Sequence, residues 1–331
     1  MHKIILIFLF LGIYSCSKKT ECEKAPDVSH ISVDISVKRL EHELFEFEHK
    51  KSVLEFINQY KAVSKHFLLS SDYPNDTILA EQLVGMINDP DIQKLYAEAT
   101  VEFGDLSAIE SEYEQAFKYA KYFLPGFRVP EIKSMVTGLG NDLFVSDSLI
   151  VIGLDYFIGP KASYRPIDLP QYILSRYQKE YIVPSSILVL STSFNATNRQ
   201  DNSVLADMIY YGKAYYFTKQ LLPCTPDSLI IGYSAQQMED VENNQGTIWA
   251  HFVDNQLLYE TSPFVKSKYL DERPKTPEIG NKAPGRIGNY LGWKIVQQYM
   301  AENPGVTLKQ LMDINDVQVI FSKSKYKPKN T

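Results

Sequence analysis

Residues 131–154 read EIKSMVTGLGNDLFVSDSLIVIGL, and this stretch decides the fold. Two short β-rich runs, 131–137 and 149–154, are split by Gly138, Gly140, Asn141 and Asp142. Aliphatic and β-branched side chains over so few residues favour strands, and the Gly/Asn/Asp cluster turns the chain. The runs read as a hairpin or as two strands of one small sheet. Upstream, residues 28–37 (VSHISVDISV) alternate, with Ile31, Val33, Ile35 and Val37 on one face, and predict a further strand. Around these islands the spacing turns helical. Residues 38–69 carry Leu40, Leu44, Val53, Leu54, Ile57 and Tyr60 at intervals that suit one or two amphipathic helices. Further helices are predicted over 76–88, 91–103 and 106–124, with Asn75-Asp76 and Pro90 as starts and Leu124-Pro125-Gly126 as a stop. Helices return over 170–176, 184–194, 204–222, 235–258, 286–300 and 307–311, with 277–284 a loop. The fold class is therefore α+β, predominantly α-helical with a small β-sheet. The chain divides into a strand plus a helical N-terminal part, 28–126, and an α+β C-terminal part, 127–331, or forms one continuous domain over 28–331.

Across all 331 residues the composition is that of a folded globule, with 44% hydrophobic and 22% charged side chains. Forty acidic residues against 34 basic ones leave a charge of −6, which argues against the broad basic surface that nucleic acid requires. The first fifteen residues stand apart. Met1-His2-Lys3 is a basic start, and residues 4–13 (IILIFLFLGI) contain no polar side chain. A membrane span takes about 20 residues, so this shorter run fits the apolar core of a secretion signal. Ile13-Tyr14-Ser15-Cys16 follows and resembles a bacterial lipobox, although Tyr14 is bulkier than the usual residue there. The resemblance implies a signal peptide, 1–15, cut ahead of Cys16, whose thiol then carries lipid. Loss of Lys3 takes the charge to −7, and polar residues 16–27 read as a flexible tether. Acyl chains, rather than charge, would hold such a body at a membrane. Cys22 and Cys224 remain. A secreted protein permits a bridge between them, but their spacing neither demands nor excludes one. No CxxC is present, so neither a dithiol centre nor a thiolate zinc site is expected.

Catalytic patterns are scarce. Of six histidines, only His42 opens an HExxH-like run, His42-Glu43-Leu44-Phe45-Glu46, and Glu46 stands where the second zinc-binding imidazole should be. His42 and His49 are seven residues apart, two helical turns, which is too long a reach for one metal. There is no G-x-S-x-G, and Gly138-Leu139-Gly140 lacks the third glycine of a dinucleotide loop. Gly285, Gly288 and Gly292 mark one face at a helix start, where a second backbone can approach closely. Packing is favoured there over a ligand site. The aromatic run Tyr210-Tyr211 and Tyr215-Tyr216-Phe217 covers more than one helix face, so core burial is favoured over an interface.

Several segments in order carry a resemblance. They are residues 148–157 (SLIVIGLDYF) with Gly159-Pro160, residues 180–184 (EYIVP), and residues 208–217 (MIYYGKAYYF). Ile248-Trp249-Ala250 and residues 284–293 (PGRIGNYLGW) with Asn303-Pro304 complete the set. With the lipobox, this set resembles the gliding-motility lipoprotein B (GldB) family over nearly the whole mature chain. The resemblance implies a lipid-anchored, periplasm-facing envelope protein required for gliding motility, whose partners are other envelope gliding and secretion proteins. It implies no catalysis and no cofactor. The second half is also distantly similar to zincin-like HExxH peptidases. In those a Glu-Gly supplies the third ligand where this chain has Tyr211-Gly212, so a degenerate scaffold without metal is expected. Tyr211, Gly212, Lys213, Trp249, Gly285, Arg286, Gly288, Gly292 and Trp293 are the candidate structural or interaction residues, and Cys16 the lipidation site. The competing expectations are an envelope hydrolase with an unrecognised site and a glycan- or lipid-binding lipoprotein.

Overall fold

The computed structural model describes residues 21–329. The signal peptide and Cys16 lie outside the described residues. Four strands, β1 (Val37–Arg39), β2 (Glu131–Met135), β3 (Leu143–Val145) and β4 (Leu149–Gly153), form one sheet in the order β1-β2-β4-β3. β1 and β2 are parallel, β2 and β4 are parallel, and β3 runs antiparallel to β4. The two β-rich runs are therefore parallel neighbours in one sheet, the second of the two alternatives. The hairpin is β3–β4, and its first strand is too short to show in the pattern.

The helices come in two groups. Ahead of β2 lie α1 (Glu21–Lys24), α2 (Leu40–Phe45), α3 (Lys50–Gln59), α4 (Lys61–His66), α5 (Asp76–Asn88), α6 (Pro90–Phe103) and α7 (Ser107–Phe123). After β4 come α8 (Gln171–Leu174), α9 (Ile182–Leu190), α10 (Val204–Leu221), α11 (Asp227–Ile231), α12 (Ala235–Asn243) and α13 (Gln245–Asp254). The last are α14 (Pro263–Leu270), α15 (Ile287–Glu302), α16 (Leu308–Asp313) and α17 (Val317–Ser324). Caps explain the clearest boundaries. The Asn75 side chain accepts from Ile78 N at the start of α5, and Ser203 accepts from Ala206 N at the start of α10. Asp89 caps α6, whose first residue is Pro90.

The sheet lies between two cores. Leu149 and Val151 join Leu40, Phe56, Leu79 and Leu83 on one face, while Ile132, Ile150 and Ile152 join α7, α9, α10 and α15 on the other. All five residues of β4 are buried, which is why LIVIG reads as continuous apolar sequence rather than alternation. The larger core draws side chains from both sides of residue 126, and β1 pairs with β2 across the same boundary.

Two expectations need correction. Of residues 28–37, only Val37 enters a strand. The rest lies along α7, where Lys121 Nζ donates to Ser32 O (3.0 Å) and Glu110 Oε1 accepts from Val37 N (2.8 Å). Its alternation records burial against a helix without a ladder. The tether does not run freely to residue 27 either. Cys22 is disulfide-bonded to Cys224 (Cα–Cα 4.4 Å), which fastens the chain five residues earlier.

Candidate functional site

The candidate residues gather mainly where α10 crosses α15. A methyl group built on Gly212 would stand 2.3 Å from Gly292 O, and one on Gly292 would stand 1.8 Å from Met208 O. The two backbones touch, so any side chain there would force them apart. At Gly288 the added methyl group would meet Leu270 at 2.8 Å, and at Gly285 it would meet Arg273 O at 2.0 Å. Trp293 is fully buried beside Tyr215 (ring centroids 5.4 Å apart). These positions are interior packing, and they leave no room for a ligand.

Two cations brace the crossing. Lys213 is 2% exposed, and its Nζ donates to Ala196 O (2.8 Å), Met312 O (3.3 Å) and Ile314 O (2.7 Å). Burial pushes this ammonium down to about 8, and Asp313 pulls it upward. All three ammonium donors are used, so Lys213 is a clasp between α10 and the chain around α16. Arg286, in the left-handed region (φ 58°), donates to Ile231 O (2.7 Å) and to Tyr215 Oη (3.3 Å). It also pairs with Glu272 (2.9 Å), which Arg176 grips with its two terminal guanidinium nitrogens (2.7 and 3.1 Å). Trp249 and Tyr211 stand apart. Trp249 packs on Phe321 and Tyr326 (6.0 and 5.2 Å), holding the C-terminal helix, while Tyr211 is 39% exposed.

The open concave site lies elsewhere, at the C-terminal edge of the parallel strands. Ligands of open α/β sheets favour that edge. Asp155, just past β4, is buried, and its Oδ2 accepts from Leu139 N (2.6 Å) and Thr137 N (3.1 Å). This pins the turn after β2, where Gly138 and Leu139 both have positive φ (68° and 63°). Burial raises the Asp155 carboxyl to about 6, and the backbone donors pull it back. Tyr156 Oη donates to Leu139 O (2.7 Å), Tyr177 Oη to Asp142 (2.6 Å) and Tyr164 Oη to Asp91 (2.6 Å). Together they border a cleft of about 720 Å³ that also includes Arg165, Ile167 and Asp168. A second hollow of about 680 Å³, with Val101 and Ile158, adjoins it across the Ser163–Glu98 hydrogen bonds.

The cleft offers phenols, carboxylates, one guanidinium and apolar rim, but its lining contains no His, Cys or Lys. That set suits hydrogen bonding and stacking. Sequence reasoning assigned Asp155 no role and passed over Tyr156, Tyr164 and Tyr177. The visible signal was a lone acid closing a fully apolar run at Gly153-Leu154-Asp155. Among the described residues, no group of three or more His, Cys, Asp or Glu is placed to hold a metal ion. His42 meets Tyr96 edge-on (6.2 Å), and His49 precedes α3.

Compared with known proteins, residues 21–328 match the family model for gliding motility protein GldB. The chain belongs to the GldB family. The match takes in both the α10–α15 crossing and the cleft. As a member of this lipoprotein family, the protein is tied to gliding motility and to the cell envelope. No curated protein and no solved structure matches it. Among the described residues, no helix is long and apolar enough to cross a membrane.

Proposed function

We propose that this GldB-family protein is anchored by lipid on Cys16 after removal of residues 1–15, faces the periplasm, and works in gliding without catalysis. On this reading it acts through contacts with other envelope gliding and secretion proteins, and uses no metal or cofactor. The observation that carries the reading is the double hollow beside α6. Its rim presents Ile167 (95% exposed) and Val101 (85%), two aliphatic side chains set among ionic and phenolic groups. Apolar anchors inside a polar rim are the anatomy of a protein contact surface.

Replacement of both anchors, Ile167→Asp with Val101→Asp, tests this in cells. Both positions are exposed, so folding and protein level should hold while partner affinity falls roughly tenfold or more and gliding is lost. Normal gliding by the double variant contradicts the reading. Purified protein should also contain far less than one zinc per chain. Stoichiometric, chelator-sensitive zinc would contradict the metal-free scaffold.

A further inference from the structure

The Cys22–Cys224 bridge has a geometric effect on a lipid-anchored chain. Cys22 is six residue steps from Cys16, a reach of about 20 Å, against about 40 Å for the twelve steps to buried Val28. Cys224 lies three residues beyond α10, an 18-residue helix about 27 Å long that runs through the body. The far end of α10 is pinned by Glu260 O accepting from Val204 N (2.9 Å) and by Lys266 pairing with Asp207 (2.6 Å). The bridge therefore ties the anchor to one end of the molecule.

That end also contains the C terminus of α7. Phe127 contacts Phe194, which stacks on Phe217 in the last turns of α10 (6.3 and 5.5 Å). The segment leading from Cys22 brings Asp27 near Tyr119 and then Ser32 to Lys121 on α7. Tyr122 is 48% exposed there and meets Phe123 edge-on, and Lys121 and Arg128 of the same stretch are exposed. Exposed tyrosine with lysine and arginine is the composition of a membrane-interface surface. Arg128 shares a hollow with Asp147, in the turn before β4, so this end borders the N-terminal edge of the parallel strands. The cleft lies at the opposite edge, past Met135 and Gly153.

We propose that the Cys22–Cys224 bridge orients the body on its own membrane, holding the α7–α10 end, with Lys121, Tyr122 and Arg128, against the lipid headgroups. The cleft then faces away from the bilayer, open to partners. This inference rests on lipidation of Cys16, and the test separates the two. Lipidated full-length protein is reconstituted in phosphatidylethanolamine–phosphatidylglycerol vesicles with brominated acyl chains, as Tyr122→Trp and as Phe264→Trp. Phe264 is 72% exposed on α14, at the far end of α10. The fluorescence added by Tyr122→Trp should be quenched roughly twofold or more relative to that added by Phe264→Trp, as for a ring at headgroup depth. A spacer of about 20 Gly/Ser residues between Lys19 and Thr20 should erase the difference, because the body then drifts on a coil about 25 Å across. Replacing both cysteines (Cys22→Ser with Cys224→Ser) should reduce it. Equal quenching of the two tryptophan variants on vesicle-bound protein, or a difference that survives the spacer, overturns the orientation and leaves the anchor intact. An N-terminal peptide without acyl mass on Cys16 overturns both.

Discussion

Asp155 shows how one side chain links the fold to the cleft. Its carboxylate holds the turn at 137–139, yet burial raises the acid to about 6. The folded acid thus binds its proton more tightly than the unfolded one, whose ordinary value is 3.8. Between those values the native chain carries the extra proton, so stability falls as pH rises from about 4 to about 6. The integrated loss is on the order of 3 kcal/mol above that window. Glu112, raised by burial to about 7, adds a contribution of the same sign. Asp155→Asn retains an acceptor for the turn and removes the titration. Its urea midpoint should therefore fall less than the parent's between pH 4.5 and 7.5, and an equal fall in both would contradict this account. Asp155→Ala should loosen the turn and lower stability by about 1–3 kcal/mol at pH 4.5, because the two N–H groups lose their acceptor, and by less at pH 7.5, where the parent itself bears the cost of the buried charge.

At the scale of elements, the central feature is the backbone contact between α10 and α15. Gly292→Ala puts a methyl group 1.8 Å from Met208 O, and neither backbone can move without disturbing the buried Trp293–Tyr215 pair. A loss of about 3 kcal/mol or more is expected in urea denaturation. Gly85→Ala is the contrast: this helical glycine in α5 has nothing within 4 Å of an added methyl group, so alanine should stabilise by up to about 1 kcal/mol. A neutral Gly292→Ala would contradict the packing reading. The spacing of Gly285, Gly288 and Gly292 made this contact legible in the sequence, and the polar start at Asn75-Asp76 made α5 legible. Other features were hidden for physical reasons. The predicted helix over 235–258 breaks at Asn244 into α12 and α13, and nothing in its apolar spacing marks the break. α11, α14 and α17 run only five to eight residues, too short for periodicity to stand out. The cleft was hidden because Asp91, Asp142, Tyr156, Tyr164 and Tyr177 come from separate segments that only the fold brings together.

At the scale of the whole molecule, the bridge and the cleft mark opposite ends of one body. The bridge closes a loop across 202 residues, for which chain entropy alone gives about 5 kcal/mol of stabilisation. It also leaves a connection of five residues to the proposed anchor. A protein held so closely at one end presents its other end to whatever passes, and that end carries Ile167 and Val101. Contacts made there, rather than chemistry, are the central claim. The most direct measurement places a photo-reactive amino acid at Ile167, and separately at Phe264, in the chain in gliding cells, followed by identification of what each position captures. The account predicts that position 167 captures a defined envelope protein of the gliding or secretion apparatus and that position 264 does not. Capture of no protein at 167, of glycan or lipid alone, or of the same partners from both positions would contradict it.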